Sequence, residues 1–110
     1  MAAETEYREF GTTKVKVSVI GMGTYYDFPW TAGSRLASRR EGKEEKVAAL
    51  KRGIELGINL IDTAEMYDTE SLVGEAIRRF DRDTLFIATK VWITHMSYNQ
   101  VLRAAQRSLA

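Results

Sequence analysis

Asp62, Tyr67 and Lys90 are the residues whose types and spacing could do chemistry. Each stands where an apolar, strand-like run gives way to a loop, and an acid, a phenol and an ammonium at successive strand ends are the parts of a proton-delivery device. Taken singly, each has a plainer role. A lone tyrosine in a loop is usually a packed aromatic, a lone strand-end lysine is usually solvated, and Asp62-Thr63 could merely satisfy backbone donors where a strand turns. Their joint placement at two strand C-termini, where barrel enzymes carry their chemistry, is what points to a site.

Two runs must position these groups. Gly57-Ile58-Asn59-Leu60-Ile61-Asp62-Thr63-Ala64 and Thr84-Leu85-Phe86-Ile87-Ala88-Thr89-Lys90-Val91-Trp92 are short, nearly continuous in apolar character and rich in β-branched residues. That pattern predicts buried parallel strands covered on both faces. Helical period surrounds them. From Glu44 to Leu56, Val47, Leu50 and Ile54 recur at offsets of three and four, acids fill the first turn, and Gly57 supplies a stop. Thr69 to Phe80 repeats the pattern with Val73, Ala76, Ile77 and Phe80. Ser97-Tyr98-Asn99-Gln100 has the S-x-x-Q spacing of a capping box and opens a third helix, whose apolar residues are Val101, Leu102, Ala105 and Leu109.

Upstream, alternation in Tyr7 to Phe10 and Lys14 to Val17 around Gly11-Thr12-Thr13 predicts a β-hairpin over residues 7–17. Ser18 to Thr24 reads as a first buried strand ending in glycines. The order is hairpin, then about three βα units. Such an order belongs to the α/β class, with helices outside a barrel or on both faces of an open sheet. Local pattern does not separate the two. Gly21-Met22-Gly23-Thr24 lacks the third glycine of G-x-G-x-x-G and leads into a long loop, so it is not a dinucleotide-binding fingerprint.

The chain has 110 residues, 45% of them hydrophobic, and a net charge of +1. Its size suffices for one small domain. Three parallel strands would nevertheless leave open sheet edges and half-covered apolar faces, so residues 1–110 are expected to be the N-terminal part of a barrel that typically needs about 250 residues. The charge balance calls for neither nucleic acid nor an anionic membrane as partner. Arg35, Arg39 and Arg40 form the one basic cluster, in the segment from Phe28 to Lys43, and read as a solvated loop or a contact for an anionic group. With no cysteine, disulfides and thiolate chemistry are excluded, and no metal is expected at the site. The polar N-terminus has no signal-like apolar region and no run is long enough to span a membrane, which leads to the expectation of a soluble, cytoplasmic protein.

The run Leu60-Ile61-Asp62-Thr63-Ala64-Glu65-Met66-Tyr67, followed by Ser71-Leu72-Val73-Gly74-Glu75, resembles the aldo-keto reductase signature, D-T-A-x-x-Y before an acid-containing helix with L-x-G. Tyr7 to Gly11 and Val17 to Thr24 resemble that family's opening hairpin and first strand. Ile87-Ala88-Thr89-Lys90-Val91-Trp92 resembles its lysine-bearing third strand. The resemblance covers nearly the whole chain, the loop from Tyr25 to Lys43 being the part least fixed by it. It implies a (β/α)8 TIM barrel that binds a nicotinamide cofactor, usually NADPH, and reduces aldehydes or ketones to alcohols. It further implies Tyr67 as proton donor, Lys90 as its electrostatic partner, Asp62 as the carboxylate paired with that lysine and as a cofactor contact, and Gly23 with Thr24 as part of the cofactor wall.

The chemistry suits those implied roles. Hydride addition to a carbonyl builds negative charge on oxygen, so the transition state needs a donor already aimed at it. An unperturbed phenol has a pKa of about 10 and is a poor acid at neutral pH. A neighbouring ammonium favours the phenolate, each pKa unit being worth roughly 1.4 kcal/mol, and a carboxylate keeps that ammonium charged and in place. The aromatics Tyr25, Tyr26, Phe28, Trp30 and Trp92 gather by sequence at strand ends, with Tyr25 and Trp92 as the substrate-side candidates. The family's fourth member, a histidine on the next strand, has no counterpart here. His95 is the only histidine, and its place in the loop before the third helix marks it as a surface or pocket-rim residue. The isolated chain is therefore expected to be inactive. An alternative within the same fold is a nucleotide-binding regulatory subunit, like the β-subunits of potassium channels.

Overall fold

A computed structural model describes residues 4–26 and 42–110. Strands β1 (Tyr7–Glu9) and β2 (Lys16–Ser18) form an antiparallel hairpin, with Arg8 opposite Val17. A parallel three-stranded sheet follows, built from β3 (Met22–Gly23), β4 (Leu60–Asp62) and β5 (Phe86–Ala88) in that spatial order. Among the described residues, three α-helices accompany it: α1 (Lys43–Glu55), α2 (Glu70–Ile77) and α3 (Tyr98–Leu109). The predicted hairpin and alternation of strands and helices are thus present. Phe28, Trp30, Arg35, Arg39 and Arg40 lie outside the described residues.

The core sits between the sheet and the first two helices. Val47 and Leu50 of α1, Ile61 of β4, and Leu72, Val73 and Ala76 of α2 form one buried cluster, flanked by Met22, Ile54 and Ile87. Ile61 is wholly buried because β4 is the central strand. Gly53 lets α1 approach β3 closely, since a Cβ there would lie 2.1 Å from Met22 Sδ. The predicted stop at Gly57 takes the form of a Schellman motif: Gly57 N donates to Ile54 O at 2.9 Å and Ile58 N to Gly53 O at 3.0 Å. Its φ of 101° falls in the left-handed region, where glycine has no Cβ penalty. The capping box opening α3 is also present, with Ser97 N donating to Gln100 Oε1 at 3.2 Å.

Three local expectations are corrected. Ser18 to Thr24 is not one buried strand: Ser18 closes the hairpin, Val19 and Ile20 are exposed, and only Met22 and Gly23 pair with β4. The chain must turn there from an antiparallel to a parallel ladder, and Asn59 takes over the strand's bonds. Its Oδ1 accepts from Ser18 N at 2.7 Å, and its Nδ2 donates to Lys16 O at 3.0 Å. Second, β5 is only half-buried, because it forms an edge of the described sheet. Third, α3 buries Ala104, while Leu102 and Leu109 are exposed, so its apolar stripe does not meet the core.

Asn59, with Tyr7 Oη donating to Gly57 O, fastens the hairpin across the N-terminal end of the sheet. Asn59→Ala strips a buried-edge donor and acceptor of partners and is expected to cost about 1–2 kcal/mol. Hydrogen exchange at the Ser18 amide, with urea unfolding of the protein, measures this. Unchanged exchange would remove Asn59 from that role.

Candidate active site

Register brings the three reactive groups together. Gly23, Asp62 and Ala88 are paired across the sheet, so they share a face at the strands' C-terminal ends. Lys90, two residues beyond Ala88, stays on that face by the period-two rule. The ladder continues past the strands, with Thr63 N donating to Ala88 O at 2.8 Å and Glu65 N to Lys90 O at 3.0 Å. A short 3-10 turn, Glu65–Tyr67, then lifts Tyr67 over the strand ends. Asp68 ends the turn in a left-handed conformation, φ 53°.

The Lys90 ammonium donates to Asp62 Oδ1 at 2.9 Å, to Oδ2 at 3.0 Å and to Thr63 O at 2.9 Å. It lies 3.4 Å from Tyr67 Oη and 4.8 Å from the centre of the Tyr67 ring. The Tyr67 contact is at the long end for a hydrogen bond. Desolvation pulls the lysine pKa down and is the largest single influence. The hydrogen bonds to Asp62 and Tyr67, with the electrostatic attraction of both, outweigh it, so the pKa ends above the ordinary lysine value. The ammonium is therefore held charged.

Around this centre, Tyr25 meets Tyr67 edge to face at 5.3 Å between ring centres. Trp92 stands on the loop just after Lys90, half-buried. Gly23 is exposed, and a Cβ there would meet nothing within 4 Å, so the surface beside Asp62 is open. Tyr26 turns inward against the core and under the Lys46 ammonium, and burial raises its pKa.

Thr24, expected beside Gly23 in the cofactor wall, directs its hydroxyl to protein partners. Its side chain is fully buried and engaged by protein groups. Thr69 Oγ1 donates to Thr24 Oγ1 at 2.8 Å, Thr24 Oγ1 donates to Asp62 O at 3.0 Å, and Thr63 Oγ1 lies 3.1 Å from Thr69 Oγ1. A hydroxyl chain from Thr63 through Thr69 and Thr24 to the Asp62 carbonyl satisfies all three protons beneath the Tyr67 loop. The sequence had pointed to Thr24 alone of these. Thr69→Val leaves the buried Thr63 hydroxyl without its partner and is expected to destabilise by about 1–3 kcal/mol. Denaturant unfolding measures it, and a loss below about 0.3 kcal/mol would show the chain to be energetically idle.

Sequence reasoning also missed Glu65, which offered no signal beyond its place between Asp62 and Tyr67. Its carboxylate receives Trp92 N at 3.2 Å and the His95 Nδ1. His95 is thus a partly buried partner of Glu65, in the loop before α3.

Parallel strands joined through helices, with a phenol, an ammonium and a carboxylate gathered at their C-terminal ends, define a chain of the α/β class. The chain belongs to the aldo/keto reductase family, whose model matches residues 19–110. It is 35% identical over 98 residues to methylglyoxal reductase YeaE of Escherichia coli, covering 86% of this chain and 31% of that protein. The crystal structure of the thermostable aldo-keto reductase Tm1743, complexed with the inhibitor epalrestat, superposes with a TM-score of 0.76 at 35% identity, covering 94% of this chain and 37% of that one. An aldo-keto reductase of Klebsiella pneumoniae in complex with NADPH matches with a TM-score of 0.73 at 35% identity, covering 96% and 34%. The fold is accordingly a part of the family's TIM barrel, and the chain spans about a third of these relatives' length. Among the described residues, no helix is long and apolar enough to cross a membrane.

Proposed function

We propose that the protein is an NADPH-dependent reductase of aldehydes and ketones to alcohols. The observation that carries this reading is the single ammonium, Lys90, within 3.0 Å of both Asp62 oxygens and 3.4 Å of Tyr67 Oη. Tyr67 donates a proton to the carbonyl oxygen as charge builds there, Lys90 stabilises the phenolate left behind, and Asp62 keeps Lys90 charged and aimed.

The residues present fit one end of a nicotinamide cofactor. Exposed Gly23, the rim of Asp62 and the Tyr25 and Tyr67 rings, which meet edge to face, border an open surface where apolar ring area lies beside a small set of polar groups. A reduced nicotinamide, when bound, supplies the hydride. Thr24 serves from below, by holding Asp62. Tyr25 and Trp92 flank the substrate, for which the methylglyoxal-reducing relatives suggest a small reactive carbonyl compound.

Lys90 and Asp62 are 50% and 46% exposed, so water reaches the ion pair and weakens its field. The 110 residues alone are therefore expected to turn over slowly or not at all. NADPH and NADH oxidation with methylglyoxal and a panel of larger aldehydes, measured on this chain and on the full-length protein, tests the reading. No aldehyde-dependent oxidation by the full-length protein would refute it, and robust turnover by the chain alone would refute the need for further shielding.

A further inference from the structure

We propose that Glu65 is a positioning residue that locks the Tyr67 turn to the loop following Lys90. The inference rests on the reductase reading above. Glu65 stands two residues before Tyr67 and binds the other side of the site through both backbone and side chain. Its N–H donates to Lys90 O at 3.0 Å. One carboxylate oxygen, Oε2, accepts from Trp92 N at 3.2 Å, while Oε1 pairs with His95 Nδ1 and lies 3.7 Å from Arg107 Nη2 of α3. His95 N in turn donates to Trp92 O at 2.9 Å, which closes residues 92–95 into a turn around the carboxylate.

The consequence for Lys90 is a hold at two points. Asp62 and Thr63 fix the ammonium, and Glu65 fixes the backbone at the carbonyl and two residues on. The Glu65 side chain is only 20% exposed, so its bonds are partly shielded from water and worth more than a surface pair. Removing the carboxylate frees the loop to rotate about the Lys90–Trp92 backbone. The 3.4 Å gap between Lys90 and Tyr67 and the placement of the Trp92 ring then lose their common reference. Because the carboxylate is engaged by Trp92 N, His95 and Arg107 and makes no hydrogen bond to Tyr67 Oη, its effect on the reaction comes through geometry.

The test compares E65A, E65Q, H95A and the E65A/H95A pair in the full-length protein, by steady-state kinetics, NADPH affinity and hydrogen exchange of the Trp92 amide. E65A is expected to lower kcat about 10-fold or more, since displacements under an ångström are costly to reactive alignment, while NADPH affinity stays unchanged. Its Trp92 amide is expected to exchange about 10-fold faster, reporting local opening. E65Q keeps an acceptor for Trp92 N–H and is expected to restore most of kcat. The double variant is expected to be no slower than E65A, because both residues act through one lock. Normal kcat in E65A, or a loss that E65Q fails to rescue and that falls equally on NADPH affinity, overturns the proposal. Should the unmodified protein reduce no carbonyl compound, the reductase reading fails, and the Trp92 exchange decides the lock alone: unchanged exchange in E65A overturns it.

Discussion

Tyr67→Phe is expected to slow the chemical step of the proposed carbonyl reduction by about 10²- to 10⁴-fold, the range for loss of a positioned proton donor. The substitution is selective. Phenylalanine keeps the ring that packs edge to face on Tyr25 and lies 4.8 Å from the Lys90 ammonium, and removes only the oxygen. Binding of NADPH should therefore change by less than about 2-fold, because the deleted atom acts on charge that develops only in the transition state. Single-turnover oxidation of bound NADPH separates chemistry from product release. A near-normal single-turnover rate would remove Tyr67 from the donor role.

Lys90→Met is expected to cost about 10²- to 10³-fold in the same step, comparable to loss of one preorganised electrostatic stabiliser. Four acceptors surround Nζ, namely both Asp62 oxygens, Thr63 O and Tyr67 Oη, so one ammonium links the carboxylate to the phenol. Methionine keeps a stem of the same length as far as Cε and loses the ammonium. Arginine should restore little, since a planar fork cannot place a compact charge among those acceptors. Stability should fall far less than rate, because the ion pair is half-exposed and solvent can replace it.

The pH dependence separates the two effects. A lysine whose folded pKa exceeds the ordinary value of 10.5 stabilises the fold at pH below that value, and the contribution is lost as pH rises through the raised folded pKa. The unmodified protein should lose this increment on alkaline titration, and Lys90→Met should not. Parallel alkaline unfolding curves for the two proteins would mean that the ammonium gains nothing from its partners in the fold.

The reactive residues were legible because their surroundings are local. Leu60-Ile61-Asp62 is a strand by its β-branched run, and the D-T-A-x-x-Y spacing survives any rearrangement of distant parts. Helix ends were equally legible, since the Schellman glycine and the capping box are made by neighbours in sequence. The burial of Thr24 was not. Whether a strand-end threonine faces solvent or the helices depends on one residue of register, and that is set by pairing with β4, 38 residues away. The exposed apolar side of α3 was illegible for a related reason, because periodicity states which residues share a face and not what covers that face.

The sequence by itself determined that this protein carries an acid, a phenol and an ammonium at the C-terminal ends of parallel strands. Chain stiffness and hydrophobic period act over a few residues and leave little alternative. Only the tertiary structure decided that Lys90 reaches Asp62 before Tyr67, that three buried threonines support the loop between them, and that Glu65 ties that loop to Trp92 and His95. Those contacts join residues on different strands and loops. Their distances are set by inter-strand register and helix packing, which no local run of the chain encodes.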